Sequence, residues 1–185
     1  MKVKALAPVD LSVENGAEVP DEYLQPRIQR KSIQDYGLHL KLLRTSALTR
    51  HRNLQVSATS AFIFENDTKV EESDNKRNIF TKYLKTGEDF SFALLGAVCS
   101  QRDFIDPCNE SDREVIYGAK EGVDRLMDLH LEQWNELWKG DIQIVGDDEA
   151  QRAVRFALYH LYSSARSGSR LSIPPFGLTS QGYNG

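Results

Sequence analysis

The chain has 185 residues, 40% of them hydrophobic and 27% charged, with a formal net charge of −4. This is the composition of a soluble globular protein, long enough for one sizeable domain or parts of two. It excludes a membrane-crossing helix, because no run of about 18 apolar residues occurs, and it argues against nucleic acid as a partner, because basic residues are not massed anywhere.

The N-terminal Met1-Lys2-Val3-Lys4 lacks the apolar core of a secretory signal. Cytoplasm and periplasm both fit. The basic stretch Arg27-Ile28-Gln29-Arg30-Lys31 is short and reads as a solvated loop. Leu38-His39-Leu40-Lys41-Leu42 alternates apolar and polar with period 2, which predicts a half-buried strand. Leu54-Gln55-Val56-Ser57-Ala58, running on to Phe62-Ile63-Phe64, predicts another, closed by the turn signal Asn66-Asp67. The polar stretch from Lys69 to Asn78 reads as an exposed connection. A further strand is expected through Phe90, Phe92 and Leu94 to Val98. Such strands point to an antiparallel sheet or sandwich with one wet face.

Past Asp103 the period changes. Val115, Ala119, Val123, Leu126, Met127, His130, Trp134, Leu137 and Trp138 recur at spacings of three and four, one face of a long helix over 111–138. Ser111-Asp112-Arg113-Glu114 fits a capping box at its start. Gly118 and Gly122 weaken the pattern, so a start near Gly122 is the other reading. A second helix is expected over 148–166, capped by Asp147 and stopped by Ser167-Gly168, with Ala150, Ala153, Val154, Ala157, Leu158, Leu161, Tyr162 and Ala165 as its buried stripe. Strands followed by helices indicate an α+β chain or two domains, with a boundary near 103–115.

Few residues carry chemistry. Cys99 and Cys108 lack a Cys-x-x-Cys or Cys/His setting, so two unpaired thiols are favoured over a disulfide and no metal site is expected. His130 and His160 lie on apolar helix stripes and read as packed residues rather than ligands. Trp134 and Trp138 at i, i+4 could stack a sugar, but an interdomain packing stripe is the favoured reading. Asp147 and Asp148 are explained by capping, because glycosidase carboxylates flank a sugar from separate elements. The closing loop, Ser172 to Gly185, is different. Pro174-Pro175 stiffens it, Gly177, Gly182 and Gly185 allow close approaches, Phe176 and Tyr183 offer flat faces, and Gln181 and Asn184 offer amides. It suits a polar ring such as a sugar, and equally a packed interhelix connection. A chain ending there is expected to be a fragment of a longer protein.

Three segments together carry a resemblance: Leu129 to Trp138, Asp141 to Leu161, and Ser172-Ile173-Pro174-Pro175-Phe176-Gly177-Leu178 with Gly182-Tyr183-Asn184-Gly185. In order and spacing they resemble glycoside hydrolase family 65, the maltose, trehalose and kojibiose phosphorylases and related α-glucoside hydrolases. The resemblance implies part of an N-terminal antiparallel β-sandwich over 1–103, a helical linker over 104–140, and over 141–185 the start of an (α/α)6 catalytic barrel with its first helix. It implies an inverting enzyme acting on an α-linked glucose disaccharide or glucoside, with phosphate as co-substrate in phosphorylases, and no cofactor. Phe176, Gly177, Leu178, Tyr183 and Asn184 would form or support the rim of a glucose subsite. The family's His-x-Phe-Trp-Asp and its catalytic glutamate would follow Gly185. Ile173-Pro174-Pro175-Phe176-Gly177-Leu178 departs from the Ala-Arg-Gly-Leu form of many phosphorylases, which tilts the reading to a hydrolase. The competing reading is a non-catalytic carbohydrate-binding or interaction module.

Overall fold

The computed structural model describes residues 1–16, 24–35, 38–64, 68, 70–73 and 77–165. The chain divides into two compact units, Met1–Leu126 and Met127–Gly185.

The first unit holds eight strands among the described residues: β1 (Lys2–Lys4), β2 (Val9–Gly16), β3 (Leu24–Asp35), β4 (Leu38–Thr49), β5 (Gln55–Phe64), β6 (Glu71–Ser73), β7 (Arg77–Leu84) and β8 (Asp89–Ser100). They form a five-stranded sheet of order β1-β8-β5-β4-β3 and a three-stranded sheet of order β2-β7-β6. Every pairing is antiparallel. Helix α1 (Pro107–Glu121) follows β8. The architecture is α+β and sandwich-like.

The large sheet is covered on both faces, and the period-2 rule assigns its residues. On β5, Phe62 and Phe64 face the small sheet, where they meet Phe80 of β7 beside Phe90 and Phe92 of the neighbouring β8. Phe80 is fully buried and lies edge-on to Phe62, Phe64 and Phe92 at centroid distances of 5.1, 4.8 and 5.0 Å. Edge-to-face geometry sets the positive ring edge against the negative ring face. The intervening residue Ala61 faces the other way and packs with Leu40, Leu42 and Val115 beneath α1. Two covered faces explain why Ala61-Phe62-Ile63-Phe64 is an unbroken apolar run rather than a clean alternation.

Three sequence expectations are corrected here. Arg27 to Lys31 belongs to β3 rather than a loop, with the side chains of Arg27, Gln29 and Lys31 exposed. The supposed connection ending at Asn78 contains β6 and the start of β7. Asn78 itself is 1% exposed and its Nδ2 donates to the Lys41 carbonyl at 3.1 Å, a polar stitch between the sheets. The helix is capped by Asp106, which accepts from the Asn109 N–H at 3.0 Å with Pro107 at the first turn, not by a box at Ser111. Ser111 is instead buried against the sheet.

The long helix is two. Gly122, at φ +85°, ends α1, and α2 runs Val123–Leu137. A residue with a Cβ is disfavoured at that φ, so glycine marks the break. At Gly118 a Cβ would come within 3.1 Å of Leu95 Cδ1, so its smallness lets α1 lie close on β8.

The second unit contains the rest of α2, a 3₁₀ turn at Trp138–Gly140, and α3 (Asp148–Ser164). Val154, Leu158 and Tyr162 of the expected α3 stripe are half-buried, while Ala153, Ala157 and Leu161 are exposed. Neither α2 nor α3 contains a fully buried residue.

Candidate functional site

The residues singled out for ligand contact, Phe176, Gly177, Leu178, Tyr183 and Asn184, lie outside the described residues, as does the expected stop at Ser167-Gly168. The segment that leads toward them is described. Asp147 caps α3 as its sequence predicts, accepting from the Glu149 and Ala150 N–H groups at 3.1 and 2.9 Å. Side chains of α3 then grip the chain that precedes it. Gln151 accepts from the Ile144 N–H at 2.6 Å and donates to the Ile142 carbonyl at 2.9 Å. Arg155 donates to both oxygens of Asp141, its Nη2 lying 2.5 Å from Oδ2. Tyr162 donates to the Gly140 carbonyl at 3.2 Å. Residues 140–144 are thereby zipped along α3. The hydrogen bonds from Arg155 hold the Asp141 carboxyl below the usual carboxylate range, against partial desolvation. Asp141 in turn raises Arg155.

The tryptophan pair joins α2 and the 3₁₀ turn that follows it to α3. Trp134 stacks on Tyr159 at 5.2 Å and 20°, and Trp138 meets the edge of Tyr162 at 5.8 Å. Both indoles are used in packing within the unit. His130 is exposed beside Trp134, and His160 lies against Phe156 at 4.3 Å. The His160 Nε2 is buried with no hydrogen-bond partner among the described residues. Asp147 and Asp148 are consistent with a cap. Among the described residues no His/Cys/Asp/Glu group is arranged to hold a metal ion.

The densest polar constellation lies in the first unit, where α1 crosses the large sheet. Ser57 Oγ and Ser111 Oγ are 2.9 Å apart, Ser111 Oγ and Thr59 Oγ1 2.8 Å, and Thr59 Oγ1 donates to Asp112 Oδ1 at 2.9 Å. The single Thr59 proton goes to the carboxylate, so Thr59 accepts from Ser111, whose proton is shared with the Cys108 carbonyl at 3.1 Å, and Ser111 accepts from Ser57. The chain of donors ends on Asp112, whose side chain is 4% exposed. The other oxygen of Asp112 accepts from Arg44 Nη1 at 2.9 Å, and Lys31 Nζ stands 3.7 Å away. Arg44 also donates to Gln29 Oε1 and reaches the Cys108 carbonyl. Nearby, Gln55 Nε2 donates to Cys108 Sγ at 3.2 Å. Cys99 and Cys108 are free thiols, and burial pushes the Cys99 thiol up, with Glu114, Glu110 and Asp103 adding to the effect. Sequence reasoning missed Asp112 and Arg44. The available signal was Ser57 and Thr59, polar residues at two successive helix-facing positions of β5 that had to find partners.

No family model matches the chain. Curated proteins do. The chain is 35% identical over 184 residues, 95% of its length, to a kojibiose hydrolase of Flavobacterium johnsoniae. It is 32% identical over 193 aligned positions, its whole length, to a kojibiose hydrolase of Mucilaginibacter mallensis. This chain is of the glycoside hydrolase family 65 type. Its family-65 relatives include a nigerose phosphorylase of Lachnoclostridium phytofermentans, 30% identical over 148 residues, 77% of the chain and 20% of that protein. The chain spans 27% and 29% of the length of the two hydrolases. The match to both hydrolases runs through the sandwich-like unit as well as the helices, so the family-65 likeness is not confined to the three segments in which the sequence first displayed it.

Proposed function

We propose that this chain is the N-terminal part of an inverting enzyme that cleaves an α-linked glucose disaccharide or glucoside. The observation that carries the reading is the similarity along 95% of the chain to a kojibiose hydrolase. In this reading residues 1–103 are the sandwich portion, 104–140 the helical linker, and 141–185 the opening of the catalytic (α/α)6 barrel. Phe176, Gly177, Leu178, Tyr183 and Asn184 support the rim of the glucose subsite, and the catalytic glutamate belongs to chain beyond Gly185. The zipper of Gln151, Arg155 and Tyr162 is consistent with α3 acting as a fixed first barrel helix from which that rim is presented.

The chemistry of an inverting glycosidase needs a carboxylic acid on one side of the bond and an attacking oxygen on the other. The acid gives its proton to the glycosidic oxygen. The C1–O bond breaks with its electrons passing to that oxygen, while water or phosphate bonds to C1 from the opposite face. When water attacks, a second carboxylate takes its proton. Hydrolysis is favoured over phosphorolysis, because both kojibiose hydrolases match more of the chain than the nigerose phosphorylase does.

The test uses the whole protein and kojibiose, with and without phosphate. Glucose release in phosphate-free buffer is expected, with β-glucose as the first anomer seen by NMR. Glucose 1-phosphate formed only with phosphate would turn the reading to phosphorolysis. Sugar binding without turnover of any α-glucoside would replace it with a non-catalytic binding module. Turnover by the 185-residue chain alone would contradict the placement of the catalytic residues.

A further inference from the structure

On the α1 side of the large sheet, beside β3, an open hollow of about 320 Å³ is lined by Gln29, Lys31, Arg44 and Asp112. We propose that this hollow binds a small oxyanion, a carboxylate or a phosphate group, held by Lys31, Arg44 and Gln29. The inference does not rest on the enzymatic reading.

The argument is one of donors and acceptors. Asp112 is the acidic group of the four, and both of its oxygens are engaged, Oδ1 by Thr59 and Oδ2 by Arg44. Its charge is offset by Arg44 at 2.9 Å, so Lys31 leaves the hollow with a net charge of about +1. The ammonium of Lys31 stands 3.7 Å from Asp112, an ion pair too long for a hydrogen bond, and its side chain is 60% exposed. The oxygen of the Gln29 amide is taken by Arg44, which leaves its N–H groups as its contribution to a ligand. Arg44 uses Nη1 on Asp112 and the Cys108 carbonyl and one Nη2 hydrogen on Gln29, which leaves the second Nη2 hydrogen and an Nε that is buried with no partner among the described residues. The groups left for a ligand are therefore donors: an ammonium, a primary amide and guanidinium N–H groups. A neutral polyol needs acceptors as well as donors, whereas an oxyanion accepts from donors alone.

The site is also held in place. Arg44 is 22% exposed, and its head is oriented by a carboxylate that Thr59, Ser111 and Ser57 support from beneath. Lys31 is paired with Leu42 and Gln29 with Arg44 across the β3–β4 ladder, so the two β3 side chains stand on the same face as Arg44. A guanidinium fixed from behind and an adjacent half-solvated ammonium suit anion capture, because the ordering of the Arg44 side chain precedes binding.

The experiment titrates the ¹⁵N-labelled 185-residue chain with inorganic phosphate and, separately, with acetate, at constant ionic strength set by chloride. Saturable amide shifts confined to the neighbourhood of Gln29, Lys31, Arg44 and Asp112 are expected. Lys31→Gln should weaken binding about fivefold or more, the loss of one charge-assisted contact, and Gln29→Ala should weaken it less. Lys31 and Gln29 are exposed, so neither substitution threatens the fold. Preference for phosphate names a phosphate group as the ligand chemistry, and preference for acetate names a carboxylate. Absence of saturable shifts with either anion, equal shifts with chloride, or unchanged affinity in both variants would overturn the proposal.

Discussion

Among the described residues each unit holds an aromatic cluster, and the clusters differ in kind. The sandwich-like unit uses phenylalanine: Phe62, Phe80, Phe90 and Phe92 lie between two sheets, with Phe64 packed against them. The helical unit uses Trp134, Trp138, Tyr159 and Tyr162, which pack α2 and the following 3₁₀ turn against α3 with no fully buried residue in either helix. Phenylalanine has no polar atom and suits a space closed on both sides. Tryptophan and tyrosine carry a polar handle and suit a half-wet seam, as the Tyr162 hydroxyl on the Gly140 carbonyl shows. An apolar stripe in a sequence therefore states which side of an element avoids water. It does not state how completely that side is covered. On α3, Phe156 remains 68% exposed although it sits in a strongly amphipathic helix.

Both tryptophans of the chain belong to the helical unit, so indole emission reports that unit while the far-ultraviolet signal of the strands reports the other. In a urea titration the emission change is expected at lower denaturant than the loss of strand signal, because local stability follows buried contact. Coincident transitions would break the comparison. The largest single effect is expected from Phe80→Ala, which removes the fully buried ring at the centre of the sandwich and should destabilise the strand transition by about 3–5 kcal/mol. The emission transition should move far less. Asp112→Asn leaves Arg44 without its carboxylate at a partly solvated site and should cost the same unit about 2 kcal/mol in the same titration. In the helical unit Trp134→Ala removes a stack of about 1 kcal/mol, read through the remaining emission of Trp138.

The smallest expected effect is electrostatic. The folded-state pKa of Asp141 is lowered by Arg155, so the pair stabilises the helical unit fully above the unfolded value of about 3.9. That contribution is lost as pH falls through the folded value. Arg155→Gln should flatten this acid dependence of the emission signal and return the Asp141 carboxyl, followed by ¹³C NMR, toward its ordinary range. An unchanged carboxyl titration would show that the ion pair does not form in solution.

Strands whose alternation is clean were legible. Leu40 and Leu42 on β4 and Phe90 and Phe92 on β8 are buried as their spacing requires. The helix at Asp148–Ser164 with its Asp147 cap was legible too, since capping is local chemistry. Strand β3 was not, because Arg27, Gln29 and Lys31 are exposed, and a polar strand at the side of a sheet has the composition of a loop. The helix break at Gly122 was visible as a weakness but not as a break. A glycine in a helical pattern is compatible with a continuous helix, and only the backbone shows that Gly122 takes the positive φ that ends α1. Ser111 and Asp112 looked like a helix start because a capping box and a buried polar pair share the same residue types.

From its own residues the chain determined the α+β order, the strand alternation, the α3 cap and the likeness to family 65, all of which depend on neighbours along the sequence. The tertiary structure decided what faces what across the chain. Ser57, Thr59, Ser111, Asp112, Arg44 and Lys31 are scattered over three strands and a helix, and hydrogen bonds between them exist because β3, β4, β5 and α1 are stacked in one place. Spacing along a sequence fixes which side a residue takes on its own element. Only packing brings the sides of different elements within the 3 Å or so over which polar groups act.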